Sequence, residues 1–460
     1  MKLVLIGAGV RAPLFVSAAL RRASRLSLAE ITLLDIDPER AHLFGGLASA
    51  VAHESGTGVR VTVTTDPHVA LVDAAHVVTS IRVGNEAGRV ADERIALRHD
   101  VLGQETTGPG GFAMALRNVP AILGYADLVR ELSPRAWLYN FTNPAGLVTQ
   151  ALHDHGVERV VGICDSGNVA QRSIAQWLQI PERDLQAETF GLNHLSWTRS
   201  VRRGGQDVLP AALGDPAFLA QTTQAMFEPE LRELVGMWMN EYLFYWYYYE
   251  RALASLRSAA QTRGEEIAQL TGQLMDQLRT FDIQADPARS LELFDAYQGQ
   301  RVSTYMRDAK PAPTDHQGSH AAIESEVPSP IAGLDEGYAG VMLDVIEAIE
   351  GGAPVRTVLN VPNDGSIEGV GADDVVEVSC EVDENGARPV RIGAVPELPL
   401  ALIRSVKLFE RLTIESIRER SRLRAIEALM AHPMVMSYSR ARVLVDEYGV
   451  AHERYVPWLT

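Results

Sequence analysis

Cys164 lies in the stretch VGICDSG, residues 161–167, and a carboxylate, Asp165, follows it directly. It is one of only two cysteines in 460 residues. Its place beside an acid, between a β-like run and a glycine turn, admits three readings: buried filler, nucleophile or soft metal ligand. The other cysteine, Cys380, sits at an alternating position in a strand-like run and is expected to be strand filler. A second constellation opens the chain. Gly7-Ala8-Gly9-Val10-Arg11-Ala12 has the G-x-G-x-x-A spacing of a dinucleotide-binding turn. Gly7 permits the tight turn, Gly9 lets a pyrophosphate approach the backbone, and Val10 leads into a helix whose first N–H groups favour an anion. Asp35 ends the next strand-like run, where a carboxylate accepts from the ribose hydroxyls. It favours NAD over NADP, because it would repel a 2′-phosphate.

The elements that must position these residues read as α/β. KLVLIGAG, EITLLDID, VRVTVTT, AHVVTSIRVG, AWLYNFTNP and RVVGICDS are strand-like, and helical stretches such as NVPAILGYADLVREL separate them. Strands alternating with helices imply a Rossmann-type doubly wound parallel sheet over residues 1–165. A mixed α/β substrate unit is expected over 166–460, the layout of lactate and malate dehydrogenases. In that layout Asn143-Pro144 would stand near the nicotinamide, so the default expectation is an NAD-dependent hydroxy-acid dehydrogenase. In the second part, AETFGLNHLSWTRSVRR suggests strands of a mixed sheet. A long helical region is expected from about Pro229 to Asp282, interrupted at Gly264 and Gly272, and a mobile loop over residues 308–335, rich in Pro, Gly, Ser and His. A hairpin is expected around Asn385-Gly386 and helices from about Leu398 onward.

Composition narrows the class. Lys and Arg total 42 against 59 Asp and Glu, a formal net charge of −17. That balance opposes binding to nucleic acid or anionic lipid, which needs clustered cations. Two cysteines cannot build a disulfide framework, and a free thiol suits a reducing cytoplasm. No uncharged apolar run of about 18 residues occurs, so no membrane span is expected. The start, MKLVLIGAGVRAPLF, mimics a signal peptide only loosely: glycines break its apolar run and Arg11 follows, as in a strand–turn–helix opening.

Longer blocks then change the functional reading. DERIALRHDVLGQETTGPGGFAMALRNVP, NFTNPAGLVTQA, GICDSG, FGLNHLSW and KLFERLTIES occur in order, and together they resemble glycoside hydrolase family 4. The similarity runs from Met1 to about Tyr455 and is weakest between about 285 and 340. The family's members are NAD- and metal-dependent glycosidases outside the usual two-carboxylate chemistry, and this chain looks most like the 6-phospho-β-glucosidases. The resemblance implies that Cys164 and His194 bind one divalent metal, usually manganese, leaving positions open for sugar hydroxyls and water. It implies oxidation of the sugar at C3 by NAD, removal of the acidified C2 proton, elimination of the aglycone, addition of water and return of the hydride. Tyr242, in MNEYLFYWYYY, matches the C2 base, and a tyrosine in that role needs nearby positive charge. Arg82, Asn143 and Asn193 match substrate contacts, and Glu105 lies in a block lining the site. A homodimer or homotetramer is implied as well.

Two departures bear on specificity. Asp165 stands where relatives cleaving β-linked phosphosugars usually carry Asn and those cleaving α-linked ones carry Asp as the acid on the leaving oxygen. Both linkages therefore stay open, and Asp165 is read as the general acid or as an orienter of the metal site. The Arg-Gly-Gly that usually precedes the phosphate-binding helix is absent, and Asp335 and Glu336 stand nearby, which argues for weakened phosphate selectivity unless Arg301 or Arg307 substitutes. Besides a glycosidase, a hydroxy-acid dehydrogenase and a silent NAD- or sugar-binding protein are the readings carried forward.

Overall fold

The computed structural model describes residues 1–306, 309 and 337–460. Apart from Ala309, the loop expected over 308–335 lies outside the described residues, as do Arg307, Asp335 and Glu336. Thirteen strands are found among the described residues: β1 Lys2–Ile6, β2 Glu30–Leu34, β3 Arg60–Thr64, β4 His76–Thr79, β5 Trp137–Asn140, β6 Val160–Gly162, β7 Gln186–Leu192, β8 Leu195–Arg203, β9 Gln206–Asp207, β10 Trp238–Met239, β11 Val355–Pro362, β12 Val375–Asp383 and β13 Gly386–Pro389.

The first six pair in parallel in the order β3-β2-β1-β4-β5-β6, the doubly wound order of dinucleotide-binding sheets. Helices cover both faces of such a sheet, so its inner strands read as unbroken apolar runs. Leu3, Val4, Leu5 and Ile6 of β1 are all buried, whereas edge strand β3 is half-exposed. β11, β12 and β13 extend this sheet beyond β6 by antiparallel pairing. Strands from both sides of residue 165 thus share one nine-stranded sheet. The β12–β13 turn falls at Asn385-Gly386 as expected, with Gly386 at φ 100°.

Two expectations are corrected. Residues 186–207 form no mixed sheet: β7, β8, β9 and β10 make a separate sheet whose pairs are all antiparallel. The helical region from Pro229 to Asp282 is broken up, into Pro229–Val235, β10, a 3-10 turn Glu241–Leu243, and helices Phe244–Tyr247, Tyr249–Ser258 and Arg263–Leu278. The first helix stops at Gly236, at φ 61°. β10 then pairs with Thr198 and Trp197 of β8, and the Asn240 side chain accepts from Tyr242 N–H at 3.0 Å. Pairing with a distant hairpin overrides the local helical preference here.

The two sheets meet where the chemistry-bearing residues lie. β7 and β8 are joined by the two-residue turn Asn193-His194. Gly191, at φ 142°, leads into it, and a Cβ there would sit 2.2 Å from the Leu195 carbonyl oxygen. Gly191→Ala is therefore expected to cost about 2 kcal/mol or more, read as a lower Tm in calorimetry. An unchanged Tm would contradict this account of the hairpin.

Candidate active site

In a sheet of this order, ligands bind at the C-terminal strand ends where the winding reverses, between β1 and β4. Gly7 follows β1 at φ 100°, and a Cβ on it would lie 2.4 Å from the Ser80 carbonyl oxygen after β4. Only glycine permits that approach. Helix Ala12–Arg21 begins five residues later, with no side chain capping its first turn. A cavity of about 500 Å³ runs along this edge, lined by Gly7, Gly9, Val10, Asp35 and Arg82 among others. Asp35 accepts from Asp37 N–H at 3.0 Å, and burial raises its carboxyl above the usual range. A carboxylate so placed gains from ribose hydroxyl donors, and the turn and helix end suit a pyrophosphate. The residues fit NAD.

A second cavity, of about 240 Å³, is lined by Cys164, Asp165, His194, Tyr242 and Glu105. Arg11, Arg89, Asn143 and Arg301 line both cavities, so the two adjoin. Cys164 follows β6, and its Sγ lies 3.5 Å from His194 Nε2 at the hairpin tip. Ligands of one ion, with bonds near 2.0–2.3 Å, stand about 3.5 Å apart. His194 Nδ1 is 2.7 Å from Thr106 Oγ1, which fixes the ring and turns Nε2 toward the sulfur. Burial holds the His194 imidazole down to about 4, hence neutral, and pushes the Cys164 thiol up, with Asp165 and Glu377 adding to the rise. A cation there would reverse the cost of a thiolate. Among the described residues no group of three or more His, Cys, Asp and Glu could hold a metal. The donor pair thus fits a cation that completes its shell with substrate and water.

Tyr242 stacks on His194, ring centroids 3.7 Å apart and planes at 2°. Its phenol is pushed up by burial first and then by Glu241. Glu105 sits in an arginine clasp: it pairs with Arg82 and, at 3.0 Å, with Arg89, which also pairs with Glu93 at 2.7 Å. Burial alone would raise Glu105, but the arginines outweigh it and hold the carboxyl well below its usual range. Its position was legible in the sequence; its task as counter-ion was not. Asn143 precedes a cis peptide bond to Pro144 and lines both cavities.

Asn193 is not brought to the second cavity. Its amide donates to Glu377 Oε1 at 3.1 Å, and Ser196 Oγ donates to the same carboxylate at 2.8 Å. Asn240 Nδ2 donates to Ser196 Oγ and Ser166 Oγ, both at 3.2 Å, and Ser166 Oγ lies 3.2 Å from Cys164 Sγ. A buried hydrogen-bonded chain therefore braces the hairpin against the cysteine turn. Sequence reasoning missed Thr106, Arg89, Glu377 and Tyr305. Thr106 stands beside Glu105 in a block already singled out; the others carry no local signal.

Two family models match the chain: family 4 glycosyl hydrolase over residues 2–180 and the family 4 glycosyl hydrolase C-terminal domain over residues 189–435. The chain belongs to glycosyl hydrolase family 4. It is 29% identical over 469 residues or more to relatives such as the 6-phospho-alpha-glucosidase 1 of Lacticaseibacillus paracasei, where 475 residues align, spanning 98% of this chain and 97% of that one. It is 28% identical to the 6-phospho-beta-glucosidase of Escherichia coli (strain K12), with 99% and 96% covered. The Thermotoga maritima 6-phospho-beta glucosidase, solved with manganese, NAD+ and glucose-6-phosphate, superposes with a TM-score of 0.81 at 27% identity over 99% of both chains. Membership of this glycosidase family displaces the hydroxy-acid dehydrogenase reading. No described helix is long and apolar enough to cross a membrane.

The clasp around Glu105 yields a test. Its folded pKa is depressed, so its contribution is full above the unfolded value and is lost as pH falls. Glu105→Gln leaves the buried Arg89 and the half-buried Arg82 each short of a partner and is expected to cost about 3 kcal/mol near neutral pH. Thermal unfolding should show the difference intact at pH 5 and narrowing only below about pH 4. A pH-independent difference would contradict the clasp.

Proposed function

We propose that this chain hydrolyses the O-glycosidic bond of a glucoside or 6-phosphoglucoside with NAD and a divalent cation, most naturally manganese. One observation carries the reading: Cys164, His194, Asp165 and Tyr242 line a cavity adjoining the nucleotide cleft. Gly7, Gly9, Val10 and Asp35 would hold NAD, and Cys164 and His194 the cation. When bound, the nicotinamide supplies a reversible hydride acceptor for C3 of the sugar, and the cation a Lewis acid beside it. The chain supplies the rest. Asn143, reaching both cavities, orients the sugar against the nicotinamide. Tyr242 takes the C2 proton at its phenolic oxygen and later returns it. Asp165 protonates the leaving oxygen. Arg82 and Glu105 form the charged wall between the two cavities, and Asn193 acts through Glu377 to hold His194 in place.

We assign NAD binding to residues 1–165 and the sugar and metal chiefly to 166–460, with Asn143, Cys164 and Asp165 contributed from the end of the first part. The substrate is a small glycoside; a homodimer or homotetramer in the cytoplasm accords with the family. The β linkage is favoured and the α linkage stays open, because relatives of both kinds align along the whole chain. Arg301 bears on the 6-phosphate. Its guanidinium donates to the Tyr297 hydroxyl at 3.0 Å, has no acidic partner among the described residues, and lines both cavities. That supports an anionic substituent on the sugar.

The test is turnover of α- and β-linked aryl glucosides, with and without a 6-phosphate, in heavy water with NAD, manganese and a reductant. Deuterium is expected at C2 of the released sugar, with no net NADH, and Tyr242→Phe is expected to lower kcat by at least about 10²-fold. A product without C2 label would overturn the elimination route.

A further inference from the structure

Tyr242 has beside it a second tyrosine, Tyr305, which is 45% exposed and lines the same cavity, and beyond that a buried acid. The Tyr305 hydroxyl lies 3.2 Å from the Tyr242 hydroxyl and 3.4 Å from Glu241 Oε1. Such spacings are long for O–H···O contacts and leave room to tighten when substrate arrives. Glu241 is 5% exposed, and its Oε2 has no hydrogen-bond partner among the described residues. A buried carboxylate with one oxygen unpartnered is costly to keep. Burial raises it to about 7, with Asp165 and Glu377 adding to the rise, so near neutrality it can both hold and release a proton. A phenol must lose its proton before it can act as a base, and the Tyr305 hydroxyl is the group within reach of the Tyr242 hydroxyl to take it.

From this geometry we propose that Glu241 is the proton store of the C2 base, reached through the Tyr305 hydroxyl. The Tyr242 O–H bond breaks and its proton passes to the Tyr305 oxygen, while the Tyr305 proton passes to Glu241 Oε1. Tyr242 is left as the phenolate and Glu241 as the neutral acid, with net charge unchanged. Tyr242 then takes the C2 proton. When water has added and Tyr242 has returned a proton to C2, the relay runs backward and resets both groups. Glu241 touches neither sugar nor cofactor: it sets the protonation state of the residue that does. The inference rests on the assignment of Tyr242 as the base.

The experiment compares wild type, Glu241→Gln and Tyr305→Phe on whichever of the aryl glucosides above is turned over, prepared with deuterium at C2 or at C3. Both substitutions conserve shape. Each variant is expected to lose about 10²-fold in kcat with KM unchanged. The C2 isotope effect is expected to grow relative to the C3 effect, because slowing proton removal makes that step limiting. A loss of kcat with the two isotope effects in their wild-type ratio, or no loss, overturns the relay. Exchange of C2 hydrogen that persists in Tyr242→Phe would instead remove the assignment of the base, a distinguishable result.

Discussion

The rest of the site depends on the 3.5 Å contact between a sulfur and an imidazole that belong to different sheets. Cys164 follows β6, at the end of the parallel sheet where backbone groups point outward and ligands collect. His194 stands at the tip of the antiparallel β7–β8 hairpin, at φ 62°, a left-handed backbone that a histidine adopts only when its surroundings demand it. The demand is visible: Thr106 holds Nδ1, Tyr242 covers the ring face, and Asn193 is tied to Glu377. The strained turn and the separate sheet are the means by which two donors, 30 residues apart, face one cavity.

Charge is organised around the same point. The chain is strongly acidic overall, yet Arg11, Arg89 and Arg301 converge where the two cavities adjoin. Burial makes such a cluster expensive unless counter-ions accompany it. Glu105 and Glu93 accompany Arg89, while Asp92, on the same helix Asn85–Arg98 as Arg89, fastens Arg117 of helix Pro109–Leu132 at 2.6 Å. On the other side of the cavity burial, with Asp165 adding to it, raises both Glu241 and Glu377 to about 7. The site therefore has a cationic wall toward the nucleotide and an acidic wall behind the base, a polarity suited to moving a proton and a hydride at neighbouring carbons.

How much could be read in advance follows from range in sequence. Gly7, Gly9 and Asp35 were legible because a strand, a turn and a helix start act locally, and φ 100° at Gly7 is a local demand. Cys164 alone left three readings open; only the resemblance joined it to His194, since nothing local marks residue 194 as its partner. The Pro229–Asp282 region was misread because its helical pattern is real, but pairing of Trp238 and Met239 with β8 outweighs it. That same pairing brings Tyr242 to His194. The β12–β13 hairpin was legible at Asn385-Gly386, but its attachment to the first sheet through β11, which pairs with β6 across about 200 residues, is announced by no local pattern. Tyr305 and Glu241 meet across 64 residues, and neither carries a motif.

The central claim is that Cys164 and His194 hold one divalent cation beside the nucleotide. Titration of manganese into the NAD-loaded protein, followed by the loss of the free-ion electron paramagnetic resonance signal, tests it most directly. The account predicts one ion bound per chain in the wild type, and binding lost in Cys164→Ala and in His194→Ala while NAD binding persists. Undiminished uptake of manganese by both variants would contradict it.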